Sequence, residues 1–182
     1  KIGIQKPLWV SEISVTSGVE VKINKKKNLR QRKYNYEFQA QEVIKRFVIG
    51  FGSGVERVAW NKFADQSEIS KEVMSQKDSR NYKGLINVNL EKKLSFFSYQ
   101  IMTKKLKGFT EVKSIPLSEE AFAYQFKVNG RDVYVLWAEK DISLDLKVGK
   151  VKITDLNGKE RIQDNSSISL TSSPVFVEKI RE

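Results

Sequence analysis

Apolar residues recur along this chain at two different periods, and the change falls near Gly108. Before it, Pro7-Leu8-Trp9-Val10 leads into Ser11-Glu12-Ile13, an apolar run of strand length entered from a proline turn, which predicts a short buried strand. From Phe38 to Phe51 the apolar positions Ala40, Val43, Ile44, Phe47 and Val48 fall at steps of three and four. That is the spacing of an amphipathic helix, with Asn35 as cap, Glu37 in the first turn and Gly52-Ser53-Gly54 as stop. Val55 to Phe63 predicts a second strand, and Leu94, Phe97, Tyr99, Ile101, Met102 and Leu106 mark a second helix ended by Gly108. Strand, helix, strand in that order implies parallel pairing through a right-handed crossover. Glu12 and Trp60 are therefore expected at the same end of neighbouring strands.

After Gly108 the period is two. Strands are predicted at Phe109 to Lys113, Phe122 to Val128, Val133 to Ala138, Ile142 to Leu146, Lys150 to Asp155, Ser167 to Thr171 and Val175 to Lys179. Asn129-Gly130 and Asn157-Gly158 between them are strong short hairpin signals. The expected fold class is α/β followed by all-β, the second part a small antiparallel β-sandwich packed against the first. Two connections, about Val15 to Asn35 and Ala64 to Lys83, read as long loops over one face of the first part, and Gly84 to Asn89 as a turn with a short extended piece.

At 182 residues with 40% hydrophobic content the chain can build a packed core, so a disordered polypeptide is excluded. No apolar run approaches the ~20 residues of a membrane helix. The start Lys1-Ile2-Gly3 is neither an initiator methionine nor a signal peptide, and is expected to fall inside a longer protein. The chain has no cysteine and no histidine, which excludes thiolate nucleophiles, histidine triads and zinc sites of the usual kind. No metal or cofactor is expected, and acid/base chemistry falls to Asp, Glu, Tyr or Lys.

The net charge of +11 is local. Residues 1–108 hold 22 Lys/Arg against 10 Asp/Glu, or +12, while residues 109–182 hold 11 against 12, or −1. Much of the excess is the run Lys22, Lys25, Lys26, Lys27, Arg30, Arg32 and Lys33. Such a run can bind phosphate backbones or anionic lipid. Here no aromatics interleave with it to stack bases, so a solvated loop is expected, with neither nucleic acid nor membrane as partner. Gly50, Gly52 and Gly54 do not form a phosphate loop, because they close a helix where such a loop opens one.

The candidate chemistry rests on Glu12, the one acidic residue among the first nineteen. Two readings stand: a solvated glutamate at a strand end, or a catalytic carboxylate in the crevice at the carboxyl ends of parallel strands. An aromatic such as Trp60 at a neighbouring strand end is either packing or a platform for the apolar face of a sugar ring.

Pro7-Leu8-Trp9-Val10-Ser11-Glu12, then Gln39 to Val48 leading into Gly54-Val55-Glu56-Arg57-Val58-Ala59-Trp60, then Gly84-Leu85 ahead of the second helix, resemble the final third of a clan-A glycoside hydrolase barrel. The likeness is to family-39 and family-5 enzymes and covers about Lys1 to Gly108. The later part is similar in position and in its Val135-Leu136-Trp137 and Asp155-Leu156-Asn157-Gly158 strings. The resemblance implies the last two β/α units of a (β/α)8 barrel over residues 1–108 and a trailing β-sandwich over 109–182. It implies Glu12 as nucleophile of a retaining mechanism, with Trp60 and Asn61 binding a carbohydrate substrate. It also puts the acid/base glutamate on the fourth barrel strand, outside this chain, so the chain alone is expected to be inactive and to need the rest of the barrel as partner. Ser14 stands where many relatives have Gly, and Asn61-Lys62 follows Trp60 where Tyr is common, which implies an altered subsite. A decayed relative, or a non-catalytic carbohydrate-binding or interaction module, is the alternative. Asn165-Ser166-Ser167 matches a glycosylation acceptor of secreted chains, a pattern too common to assign a compartment.

Overall fold

The computed structural model describes residues 6–24, 29–66, 82–145, 149–164 and 167–180. Lys25 to Lys27, Glu68, Glu72, Asp78, Leu146 and the Asn165-Ser166 pair lie outside the described residues.

The first part contains β1 (Leu8–Ile13), β2 (Gly18–Asn24), β3 (Leu29–Tyr34), α1 (Tyr36–Gly52), β4 (Val55–Trp60) and α2 (Leu94–Leu106). β1 and β4 pair in parallel, with Val10 opposite Val58 and Ile13 opposite Trp60, as the strand, helix, strand order requires. Both helices fall where the apolar spacing puts them. Asn35 caps α1 by accepting the Phe38 amide proton at 2.8 Å. Gly54 and Gly108, at φ of 85° and 73°, take the left-handed turns that follow the helix ends.

Two expectations change here. The connection from Val15 to Asn35 is an antiparallel hairpin of β2 and β3, not a structureless loop. Its pattern was in the sequence, because Val19, Val21 and Ile23 alternate with polar residues. β1 is also not a buried strand: Leu8 is 56% exposed and Trp9 57%. Among the described residues β1 has one partner strand, and no described strand pairs with its other edge.

The second part is built from β5 (Phe109–Ser118), β6 (Ala121–Val128), β7 (Arg131–Ala138), β8 (Ile142–Asp145), β9 (Val151–Thr154), β10 (Glu160–Gln163), β11 (Ser167–Leu170) and β12 (Val175–Lys179). Six strands form one antiparallel sheet in the order β10-β9-β12-β7-β6-β5, and β8 pairs with β11 in a separate sheet. The strand absent from the sequence reading is β10, whose four residues include a single apolar one, Ile162, at 61% exposure.

Alternation along β7 assigns its two faces. Val133, Val135 and Trp137 join a cluster with Ile44, Phe47, Met102 and Leu106 of the helices. Leu136 and Ala138 join the opposite cluster with Ile168 and Leu170 of β11. The molecule is therefore layered: helices, the six-stranded sheet, then the β8/β11 pair. Phe126 and Phe176 are fully buried on the helix side, each burial contributing about 1.5–3 kcal/mol.

Candidate functional site

The carboxyl ends of β1 and β4 form the rim where the candidate residues fall. Glu12 is exposed there, one residue before Ile13, whose carbonyl accepts the Asn61 amide proton at 2.9 Å. Glu12 and Trp60 thus emerge at the same end of neighbouring strands. Their side chains do not share one face. The half-buried Trp60 indole packs against the helix-facing cluster and donates its N–H to the Lys83 carbonyl at 2.9 Å. Asn61 is half-buried beside it, and the Asn61–Lys62 peptide is cis. On β1 itself, the Arg57 guanidinium lies 4.4 Å from the Trp9 ring centre, a cation–π contact on the uncovered sheet.

Next to this rim is a buried polar knot that no sequence pattern announced. The Lys93 ammonium, 3% exposed, lies 2.5 Å from an equally buried Asp65 carboxylate oxygen. It also donates to Ser17 Oγ at 3.1 Å and to the Gly84 carbonyl at 3.0 Å, with the Tyr82 carbonyl at 3.4 Å, so four acceptors surround its three protons. The other Asp65 oxygen accepts the Gly84 amide proton at 2.8 Å. Gln39 adds its side-chain amide to the Val15, Tyr82 and Gly84 carbonyls and accepts from Ser95 Oγ. Burial pushes the Lys93 ammonium down from its ordinary value, while hydrogen bonding and charge from Asp65 oppose that shift. Gly84 is obligatory: a Cβ there would lie 2.2 Å from the Asp65 nitrogen. In sequence Asp65 falls in the connection from Ala64 to Lys83 that reads as a long loop. Its burial and its partner both depend on a segment far along the chain, so only the folded structure reveals them.

Between β4 and α2 runs an open apolar groove. One stretch of about 420 Å³ is bounded by Phe47, Phe51, Met102 and Phe109, and a second of about 670 Å³ by Trp60, Phe63, Leu85 and Phe96. Val58, Tyr99, Thr103 and Lys107 border both.

Among the described residues no group of three or more acidic side chains could hold a metal ion. Among the described residues no helix is long and apolar enough to cross a membrane.

No family model matches the sequence, and no curated protein matches it either. Among solved structures the chain is similar in fold to a family 39 glycoside hydrolase from the gut symbiont Bacteroides cellulosilyticus WH2. The TM-score is 0.67 and the identity 17%, over 96% of this chain and 34% of that one. It is also similar to a GH30 endoxylanase from Clostridium papyrosolvens C71, with a TM-score of 0.56 and 10% identity, over 96% of this chain and 42% of that one. The chain spans roughly a third to two fifths of the length of these two proteins.

Proposed function

We propose that this chain is the carboxyl-terminal part of a retaining glycoside hydrolase acting on O-glycosidic bonds of a poly- or oligosaccharide. Glu12 is the nucleophile, and Asn61 and Trp60, at the end of the neighbouring strand, are the substrate-binding residues. Residues 1–108 are the last two β/α units of the barrel and residues 109–182 a β-sandwich that buttresses them. The observation that carries this reading is an exposed carboxylate at the carboxyl end of a parallel strand, one strand away from Trp60 and Asn61. The fold likeness to two glycoside hydrolases supports it.

Retaining hydrolysis needs two carboxyl groups ~5 Å apart, one to attack the anomeric carbon and one to protonate the leaving oxygen. The acid/base comes from further β/α units. Those units pair with the edges of β1 and β4 that no described strand occupies. A strand added beside β4 sends alternate side chains into the apolar groove under α2, which removes that surface from water.

The test is hydrolysis of aryl glycosides by the isolated chain and by a polypeptide that supplies the remaining units. The isolated chain is expected to be inactive, and the assembled protein to be active and to lose turnover in Glu12→Gln. Turnover by the isolated chain that vanishes in Glu12→Gln would show that no further unit is needed. Full activity of Glu12→Gln in the assembled protein would remove Glu12 from the mechanism.

A further inference from the structure

Three segments converge on the rim beside Glu12: the stretch after β1 that carries Ser17, the stretch after β4 that carries Asp65, and the 82–84 segment before α2. Backbone hydrogen bonds join them in pairs, and the Ser17 hydroxyl and the Gln39 amide add further ties between the first and third. Ser17 N donates to the Tyr82 carbonyl, Leu85 N to the Phe63 carbonyl and Asp65 N to the Ile86 carbonyl, all near 2.8–2.9 Å. What joins all three is one side chain. Lys93 reaches Ser17, Asp65 and Gly84 at once, through a single ammonium with no donor to spare.

Burying an ion pair is expensive, and apolar residues of similar volume would stabilise the fold as well or better. The arrangement is explained by what it orients. Lys83, whose carbonyl accepts the Trp60 indole proton, sits immediately before Gly84, and Gly84 is gripped on both sides: its amide by Asp65 and its carbonyl by Lys93. We infer that Lys93 is a positioning residue of the rim: with Asp65 it clamps the 82–84 segment and thereby sets the orientation of the Trp60 indole one strand away from Glu12. This rests on the reading of Trp60 as part of a carbohydrate site, but the clamp itself is measurable without any sugar.

The chain has three tryptophans, Trp9, Trp60 and Trp137, so three indole N–H signals are resolvable by NMR and the Trp60 signal is assigned by its loss in Trp60→Phe. Solvent exchange of those protons is measured in the wild-type chain, in Lys93→Met and in the double variant Asp65→Asn/Lys93→Met. The double variant leaves no unpaired buried charge and keeps an oxygen for the Gly84 amide, which removes the main cost of the single variant. The expected result is exchange of the Trp60 indole proton about tenfold or more faster in the double variant, through local opening, with the Trp137 signal unchanged. An unchanged Trp60 rate in the double variant overturns the clamp. Equal acceleration at Trp60 and Trp137 also overturns it, because the pair would then support the fold in general. Failure of Glu12→Gln to affect turnover would leave this result standing, so the two readings fail separately.

Discussion

Trp9 and Trp137 each sit one residue inside the end of a strand and have opposite surroundings. Trp137 is 3% exposed and stacks with Phe122 and Tyr124 at ring-centre distances of 5.2 and 5.6 Å. Trp9 is 57% exposed, with Arg57 laid over its ring. The difference is not in the strands, since both carry large apolar side chains. It lies in what covers them. β7 has β6 and β12 on its edges, helices over one face and the β8/β11 pair over the other. β1 has β4 on one edge. The central strands of the six-stranded sheet are paired on both edges and covered on both faces, whereas among the described residues β1 and β4 are each paired on one edge.

The comparison can be broken by substitution. Trp137→Ala is expected to cost about 3–5 kcal/mol, read as a lowered urea midpoint, because the cavity opens inside a closed layer. Asn35→Ala comes next at about 1 kcal/mol, since the Phe38 amide loses its cap on the helix that links the two regions.

A smaller effect tests the electrostatic tie between α2 and the six-stranded sheet. Burial lowers the Lys105 ammonium, but Glu178 and Glu160 outweigh it and hold Lys105 above its ordinary value. In turn the hydrogen bond from Lys105 holds the Glu160 carboxyl below its ordinary value of 4.5. A depressed carboxyl adds stability above its unfolded value, and that stability is lost as pH falls through the folded value. Wild type should therefore lose more stability than Glu160→Gln as pH drops below 4.5. The difference should be under about 0.5 kcal/mol, because Glu160 is half exposed and solvent screens the pair. Equal acid limbs would break the tie.

Smallest of all, Trp9→Ala should change stability by less than about 0.5 kcal/mol in the isolated chain. A loss as large as that of Trp137→Ala would mean that β1 is covered after all, and the contrast between the two regions would fail.

Local pattern made most elements legible. The three- and four-residue steps of α1, the cap at Asn35 and the alternation of β6 and β7 are set within a few residues, and the structure keeps them. The β2/β3 hairpin was hidden because a dense run of charges flanks the alternating Val19, Val21 and Ile23, and charged segments are more often solvated loops. β10 was hidden because an edge strand needs little apolar side chain. For the candidate site, the parallel register that brings Glu12 and Trp60 to one rim was also legible from element order. The direction of the Trp60 indole was not, nor was the union of Asp65 with Lys93.

By itself, then, the sequence determined where both helices and most strands lie, how β1 and β4 pair, and which carboxylate stands at a strand end. Those features depend on neighbours close along the chain or on simple rules of connection. Tertiary structure alone decided which apolar strands are covered and which buried charges meet. Burial and ion pairing depend on segments far apart in sequence, and their strength is set by how much water the final packing leaves between them.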